Sequence, residues 1–194
     1  MIRLELASKS DVDIADYMKK HYSHPKGFVG RQIMYRIWVD NKPCGAIAGG
    51  SATQNLPGRN EFFGDEFKLQ NIINNTFYHL ENNCGDKNLG TKVLKLWRNQ
   101  VVFDWQYLYK SPVIGFETLV ELPRNGALYK ADNWTFVGTT KGYTCKRIGG
   151  ISSSEKFGGV RVWNYDDLRP KLVFCKLLPE KERKEVYNPK RRLF

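Results

Sequence analysis

The stretch from Asn88 to about Tyr109 limits the possible folds more than any other part of the chain. Leu94, Trp97, Val101, Trp105 and Leu108 recur at helical spacing, while Lys92, Lys95 and Asn99 fall elsewhere. That pattern predicts a long helix with one face laid on a core. Asn88-Leu89-Gly90-Thr91 supplies the start signal, and strand-like runs flank the helix, Thr76 to Glu81 before it and Val113 to Val120 after it. A one-sided helix between two strands has a sheet to cover, so the chain reads as an α/β domain.

The remaining segments extend this reading. Ile2 to Leu6 alternates with charge as an edge strand, and Ser10-Asp11-Val12-Asp13 resembles a capping-box helix start. Ile14, Met18 and Tyr22 follow four apart as one apolar stripe. Ile33 to Val39 and Cys44 to Ser51 form a hairpin turned by Asp40-Asn41-Lys42-Pro43. The second of these strands, Cys44-Gly45-Ala46-Ile47-Ala48-Gly49-Gly50, is built from small residues and predicts the close approach of a backbone or a ligand. Gln54 to Asn71 reads as a long irregular loop facing a nucleic acid. A short helix carries Tyr129, and strands follow at Thr135 to Gly138, Lys141 to Arg147 and Lys171 to Leu178, with a Gly/Ser-rich loop at Gly149 to Gly159. At 194 residues the chain suits one domain, residues 1–178, with 179–194 as a basic C-terminal tail.

Charge carries the strongest global signal. The chain has 31 Lys and Arg against 20 Asp and Glu, a net charge of +11, which favours a polyanionic partner. Solubility alone is the plainer explanation. Lys141, Lys146, Arg147, Arg161, Lys190 and Arg191 are the candidate phosphate contacts. With no apolar run of membrane-crossing length and no signal-peptide pattern at Met1 to Glu5, the expectation is a cytoplasmic protein without a membrane partner. Cys44, Cys84, Cys145 and Cys175 form no Cys-x-x-Cys pair and read as free buried thiols, although their even number keeps disulfides open.

Several residues invite chemistry on their own terms. Cys84 to Thr91 ends at a helix N-terminus, where free amides and the helix dipole favour an anion, so Asn88, Gly90 and Thr91 are candidate cofactor contacts. Asn88 or Thr91 acting as a plain helix cap is the other reading. Glu117 is a single carboxylate among Val113 to Val120, and burying it requires a partner or a raised pKa. It is either a site residue or half of an ion pair with Arg124 or Lys130. His21 titrates near neutrality and suits a base, whereas an exposed or capping His is the common alternative. Two histidines three apart, His21 and His24, lack a third ligand, so no metal site is assigned. Tyr22 either borders this site or continues the core stripe. Tyr129 suits a proton donor in a site that excludes water, or a packed ring with a satisfied hydroxyl.

The segment Asn125-Gly-Ala-Leu-Tyr-Lys-Ala-Asp-Asn-Trp134 resembles the end of a GNAT-type acyltransferase domain, Asn-x-x-Ala-x-x-Leu-Tyr-x-x-x-Gly-Phe. Ala127 to Trp134 with Gly138 and Thr140 is similar to the Tyr-x-Ala-x-Asn-Trp-x-x-x-Gly signature of phage Mom proteins and of the related domain in Druantia-type defence proteins. Glu117-Thr118-x-Val120 is similar to the Druantia-type pattern, and His21-Tyr22 to a His-Tyr element bordering the Mom site. The resemblance covers most of residues 1–147. It implies a GNAT-like, mostly antiparallel mixed sheet flanked by helices, with His21, Tyr22, Glu117 and Tyr129 as catalytic residues. The implied activity is transfer of a carbamoylmethyl group to adenine N6 in double-stranded DNA, protecting phage or mobile DNA from restriction. In acyltransferases of this fold the coenzyme A pyrophosphate sits where Asn88 to Thr91 lie, but the usual Gln/Arg-x-x-Gly-x-Gly/Ala loop is absent here. The donor therefore stays open among acetyl-CoA and another acyl or glycine-derived molecule, with iron also open. An acetyl-CoA-dependent N-acetyltransferase of a small amine or protein is the alternative, and a non-catalytic DNA-binding anti-defence protein is a third reading.

Overall fold

The structure, a computed structural model, describes residues 1–23, 30–64, 67–85, 87–148 and 160–181. In chain order the elements are β1 (Ile2–Ala7), α1 (Val12–Lys20), β2 (Gln32–Val39), β3 (Lys42–Ser51), α2 (Arg59–Phe63), β4 (Ile72–Leu80), α3 (Leu89–Tyr109), β5 (Gly115–Glu121), α4 (Ala127–Ala131), β6 (Thr135–Thr139), β7 (Thr144–Ile148), β8 (Val160–Asn164) and β9 (Lys171–Leu177). Seven strands make one sheet in the order β1-β2-β3-β4-β5-β9-β6, and β7 and β8 form a separate hairpin. Every pairing in the large sheet is antiparallel except that of β4 with β5. The fold is thus the mixed, mostly antiparallel sheet with flanking helices that the sequence led us to expect.

Helix α3 forms because its apolar stripe has a sheet face to cover. Val93, Leu94, Trp97, Val101 and Trp105 are buried in one cluster with Ile33, Tyr35, Ile37, Ile47, Ile73 and Phe116 of the sheet. Each such side chain contributes about 1.5–3 kcal/mol when fully withdrawn from water. The two Trp of the stripe are therefore core residues, while Leu108 remains exposed near the helix end. On the opposite sheet face Ile14 and Tyr17 of α1 pack on Met34, Ala46, Ala48 and Phe77. The small residues of β3 serve protein packing: a methyl group at Gly49 would meet Ile73 at 2.8 Å and Trp97 at 3.2 Å. A neighbouring strand and helix fill the space that the sequence had left open to a ligand.

Three expectations are corrected. The N-cap of α1 is Asp11, whose carboxylate accepts the Ser8 N–H at 3.1 Å, and the helix ends at Lys20, so Tyr22 lies beyond it. Gln54 to Asn71 is not one irregular loop, because it contains α2 and a 3₁₀ turn (Leu69–Asn71) and its Arg59 is buried. Cys44 and Cys84 are joined as a disulfide with Cα atoms 5.6 Å apart, while Cys175 is a free buried thiol. The Gly149–Gly159 loop and most of the basic tail lie outside the described residues. No helix among the described residues is long and apolar enough to cross a membrane.

Candidate active site

The site arises where the sheet opens. Strands β4 and β5 pair over only three positions, Ile72 with Gly115, Ile73 with Phe116 and Asn74 with Glu117. Beyond them β4 stays on β3, whose register shifts between Ala48 and Gly49, while β5 follows β9 to its end. Against β3, Asn75 pairs with Gly49 and Phe77 with Ala48, which leaves Thr76 as an extra residue in β4. Such a bulge bends its strand. The strands diverge, and a cavity of about 360 Å³ occupies the gap, lined by Asn75 to Tyr78 of β4 and Thr118 to Val120 of β5. His21, Tyr22 and Arg124 to Tyr129 complete its walls. The volume falls in the range of small-ligand sites, roughly 300–1,000 Å³.

Tyr129 is held in this cleft by an amide that sequence reasoning did not single out. Its hydroxyl donates to Asn75 Oδ1 at 2.7 Å. Asn75 Nδ2 donates to Ala48 O at 3.0 Å and Phe77 O at 3.3 Å, so both its protons are spent on carbonyls and its oxygen must face the phenol. Thr118 Oγ1 donates to Asn75 O at 3.0 Å. Burial pushes the Tyr129 phenol above its ordinary pKa, so it is protonated at neutral pH. The visible signal for Asn75 was the Asn74-Asn75 pair inside the apolar run Ile72 to Phe77.

The Ala127-to-Trp134 motif is the device that fixes Tyr129. Gly126 begins α4 at φ +70°, and a side chain there would run into the Phe174 ring. Asn125 Oδ1 accepts the Ala127 N–H at 3.0 Å. Asp132 binds Arg98 of α3 through two 2.9 Å bonds and accepts Trp134 Nε1 at 2.8 Å, which latches the short helix to the long one. Asn133 takes the left-handed turn at φ 58°, letting Trp134 N–H return to Tyr129 O at 3.0 Å. The Trp134 ring then packs on Tyr129, with centroids 5.1 Å apart.

Opposite Tyr129, His21 caps the C-terminus of α1 and is 6% exposed, wedged against Tyr22 and Phe77 at centroid distances of 4.3 and 4.8 Å. Ser23 faces His21 Nδ1 with both its N–H, at 3.3 Å, and its hydroxyl, at 2.9 Å. Arg124 stacks over Tyr22 at 3.7 Å. Burial raises the Tyr22 phenol pKa, and it also raises that of Tyr78, whose hydroxyl donates to Gly90 O at 2.8 Å.

Glu117 does not join this group. Alternation along β5 turns Phe116, Thr118 and Val120 toward α3 and α4, and turns Glu117 the other way. There the carboxylate, fully buried, accepts Thr53 N–H at 2.6 Å and pairs with Arg59 Nη1 at 3.1 Å. Burial pushes its pKa up, and the Thr53 amide and the Arg59 guanidinium oppose that shift. Its partner is Arg59 of α2, neither Arg124 nor Lys130. Strand alternation thus corrects the expectation of an acid and a phenol sharing one hollow.

The remaining candidates scatter. Asn88 is the N-cap of α3 without a side-chain cap bond, and its carbonyl accepts Thr91 Oγ1 at 3.0 Å. Gly90 touches the cleft wall through Tyr78 and through Leu128, but the cavity lining contains none of Asn88, Gly90 and Thr91. Lys141 is exposed and lines a different cavity. Lys146 and Arg147 lie on β7 and Arg161 on β8, whereas Lys190 and Arg191, like His24, fall outside the described residues. Among the described residues no group of three or more His, Cys, Asp or Glu is placed to hold a metal, so iron has no built site there.

No protein-family model matches the chain, and no curated protein matches its sequence. Solved structures do match in three dimensions. Aminoglycoside acetyltransferase AAC(6')-Ib in complex with coenzyme A and kanamycin superposes with TM-score 0.57 at 12% identity, covering 95% of this chain and 98% of that one. A Bacillus subtilis acetyltransferase in complex with coenzyme A gives 0.56 at 11% identity, over 92% and 100%. The ribosomal L7/L12 alpha-N-protein acetyltransferase RimL gives 0.52 at 14% identity, over 91% and 92%. The chain therefore has the GNAT acetyltransferase fold.

Proposed function

We propose that the chain is a transferase that moves an acyl-type group onto an amine presented in the cleft between β4 and β5. The observation that carries this reading is the convergence of Tyr129, Asn75 and His21 on one cavity in a sheet that opens at its middle. An attacking amine must shed a proton, which passes to solvent in the open cleft, and a departing thiolate or alkoxide must gain one. Tyr129 is protonated at neutral pH, and on turning from Asn75 its hydroxyl can deliver that proton to the leaving group. Structures of the same fold that hold coenzyme A support an acyl-CoA donor, with Gly90 and the start of α3 beside the cleft wall to receive it. N-acetylation of a small amine or a protein is accordingly the first reading.

A second reading keeps the cleft and changes both donor and acceptor. The Tyr129 to Trp134 motif, which fixes the phenol in the cleft, resembles the Mom signature, and the net charge of +11 suits a polyanion. On this reading the acceptor is adenine N6 in DNA, flipped out of the duplex, and the product is a carbamoylmethyl adenine. Its role is protection of phage or mobile DNA. One experiment separates the two: nucleosides from DNA of cells expressing the protein are analysed by mass spectrometry, and acetyl-CoA binding is titrated in parallel. Modified adenine that disappears with Tyr129→Phe selects DNA. Coenzyme binding with unmodified DNA selects acetylation. Neither result, with soluble protein and an unaltered biological effect of Tyr129→Phe, refutes both and favours a non-catalytic DNA-binding protein.

A further inference from the structure

A second cavity of about 730 Å³ lies on the Glu117 side of β5 and shares only Leu119 with the cleft. Among the described residues four cations line it, Arg59, Lys141, Arg169 and Lys171, and no carboxylate does. Three of them have acidic partners standing outside the lining: Arg59 with Glu117 at 3.1 Å, Arg169 with Asp167 at 3.1 Å and Lys171 with Glu121 at 3.4 Å. Lys141 has no such partner among the described residues. Arg59 is 2% exposed, and its Nε is buried without a hydrogen-bond partner among the described residues. The wall also presents two rings, Tyr143 at 46% and Trp163 at 48% exposure, and the edge contact of Tyr143 with Tyr165 at 5.1 Å braces the first.

Large half-exposed rings beside a wall of cations, with Lys141 unpaired among the described residues and the acidic partners of the others set outside the lining, match a ligand that joins a flat aromatic group to an anion. We propose that this cavity binds a small aromatic phosphate of the nucleoside-monophosphate kind, its ring against Trp163 and Tyr143 and its phosphate toward Lys141 and Arg169. The site stands on its own lining, so it does not depend on what the cleft transfers.

The test uses the full chain with AMP as probe and adenosine and inorganic phosphate as the ring-only and charge-only controls, read by quenching of Trp fluorescence and by calorimetry. AMP is expected to bind saturably, with each control weaker by roughly 10-fold or more, since loss of a charge-assisted bond or of a stacked ring is worth at least that factor. Lys141→Ala is expected to weaken AMP by about 10-fold without affecting adenosine. Trp163→Ala is expected to weaken AMP and adenosine alike. Both side chains are exposed, so both variants are expected to keep the parent melting temperature. Equal affinity for AMP and adenosine, AMP binding unchanged in both variants, or binding of a single-stranded oligonucleotide with none of AMP would each overturn the proposal.

Discussion

Removing the Tyr129 hydroxyl tests the cleft at its most constrained point. Tyr129→Phe strips the donor from Asn75 Oδ1, an acceptor on a residue 4% exposed whose two N–H groups already serve Ala48 O and Phe77 O. A buried acceptor left without its donor costs about 1–3 kcal/mol, with the low end reached if a water in the cleft takes the phenol's place. Asn75→Leu removes three bonds at once, and at about 1 kcal/mol net for each it should cost about 3 kcal/mol. In the double variant the phenylalanine no longer needs an acceptor and the leucine no longer offers one, so the combined loss should fall short of the sum by about 1 kcal/mol. Urea unfolding followed by Trp fluorescence measures all four proteins, and in a parallel thermal melt each kcal/mol should appear as a shift of about 2–4 °C for a chain of this size. Additivity within about 0.3 kcal/mol would mean that the two side chains do not interact. The orientation of the phenol argued here would then be wrong.

Three further outcomes are expected. Asp132→Ala leaves Arg98 and Trp134 Nε1 unpartnered at a site where both ionic side chains are about nine-tenths buried, and it should cost about 3 kcal/mol and lower turnover through a loosened α4, measured by urea unfolding and steady-state assay. Hydrogen bonds from Arg36 and from Arg3 hold the carboxyls of Asp13 and Glu5, respectively, below the usual carboxylate range. The stabilisation they supply is therefore complete above that range and disappears as pH falls through the lowered values, so the urea midpoint should drop as pH is taken below the usual carboxylate range, and Arg36→Met should flatten that drop. Reducing the Cys44–Cys84 disulfide, which closes a 40-residue separation, should lower stability by about 4 kcal/mol on chain-entropy grounds, and a midpoint unchanged by dithiothreitol would refute its formation.

Sequence reading succeeded where one local period decided the outcome and failed where a distant partner did. Helix α3 was legible because its burial stripe repeats over several turns, so no other element was needed to find it. Tyr129 and its motif were legible as a unit, since Gly126, Asp132, Asn133 and Trp134 act within a few residues of the phenol. The partner of Glu117 was not, because Arg59 lies 58 residues earlier in a stretch whose composition suggested a loop. The cysteine pair was hidden in the same way by its sequence separation. One miss was avoidable: alternation from Phe116, an apolar residue facing α3, puts Thr118 and not Glu117 on the side of α4.

The cleft also explains why polar side chains sit in mid-sheet. When two paired strands separate, each backbone N–H and C=O past the branch loses its ladder partner and must find another. At this branch Thr118 Oγ1 takes Asn75 O, and at the adjoining bulge between β3 and β4 the Asn75 amide takes Ala48 O and Phe77 O. The remaining polar atom of that amide, Asn75 Oδ1, takes the Tyr129 hydroxyl. Opening the sheet and orienting the phenol are thus one hydrogen-bond network, so a residue that repairs the branch also aims the reactive group. An apolar pair at positions 75 and 118 would remove both, and the bulge at Thr76 would then bend β4 away from β5 with nothing to satisfy the carbonyls it exposes.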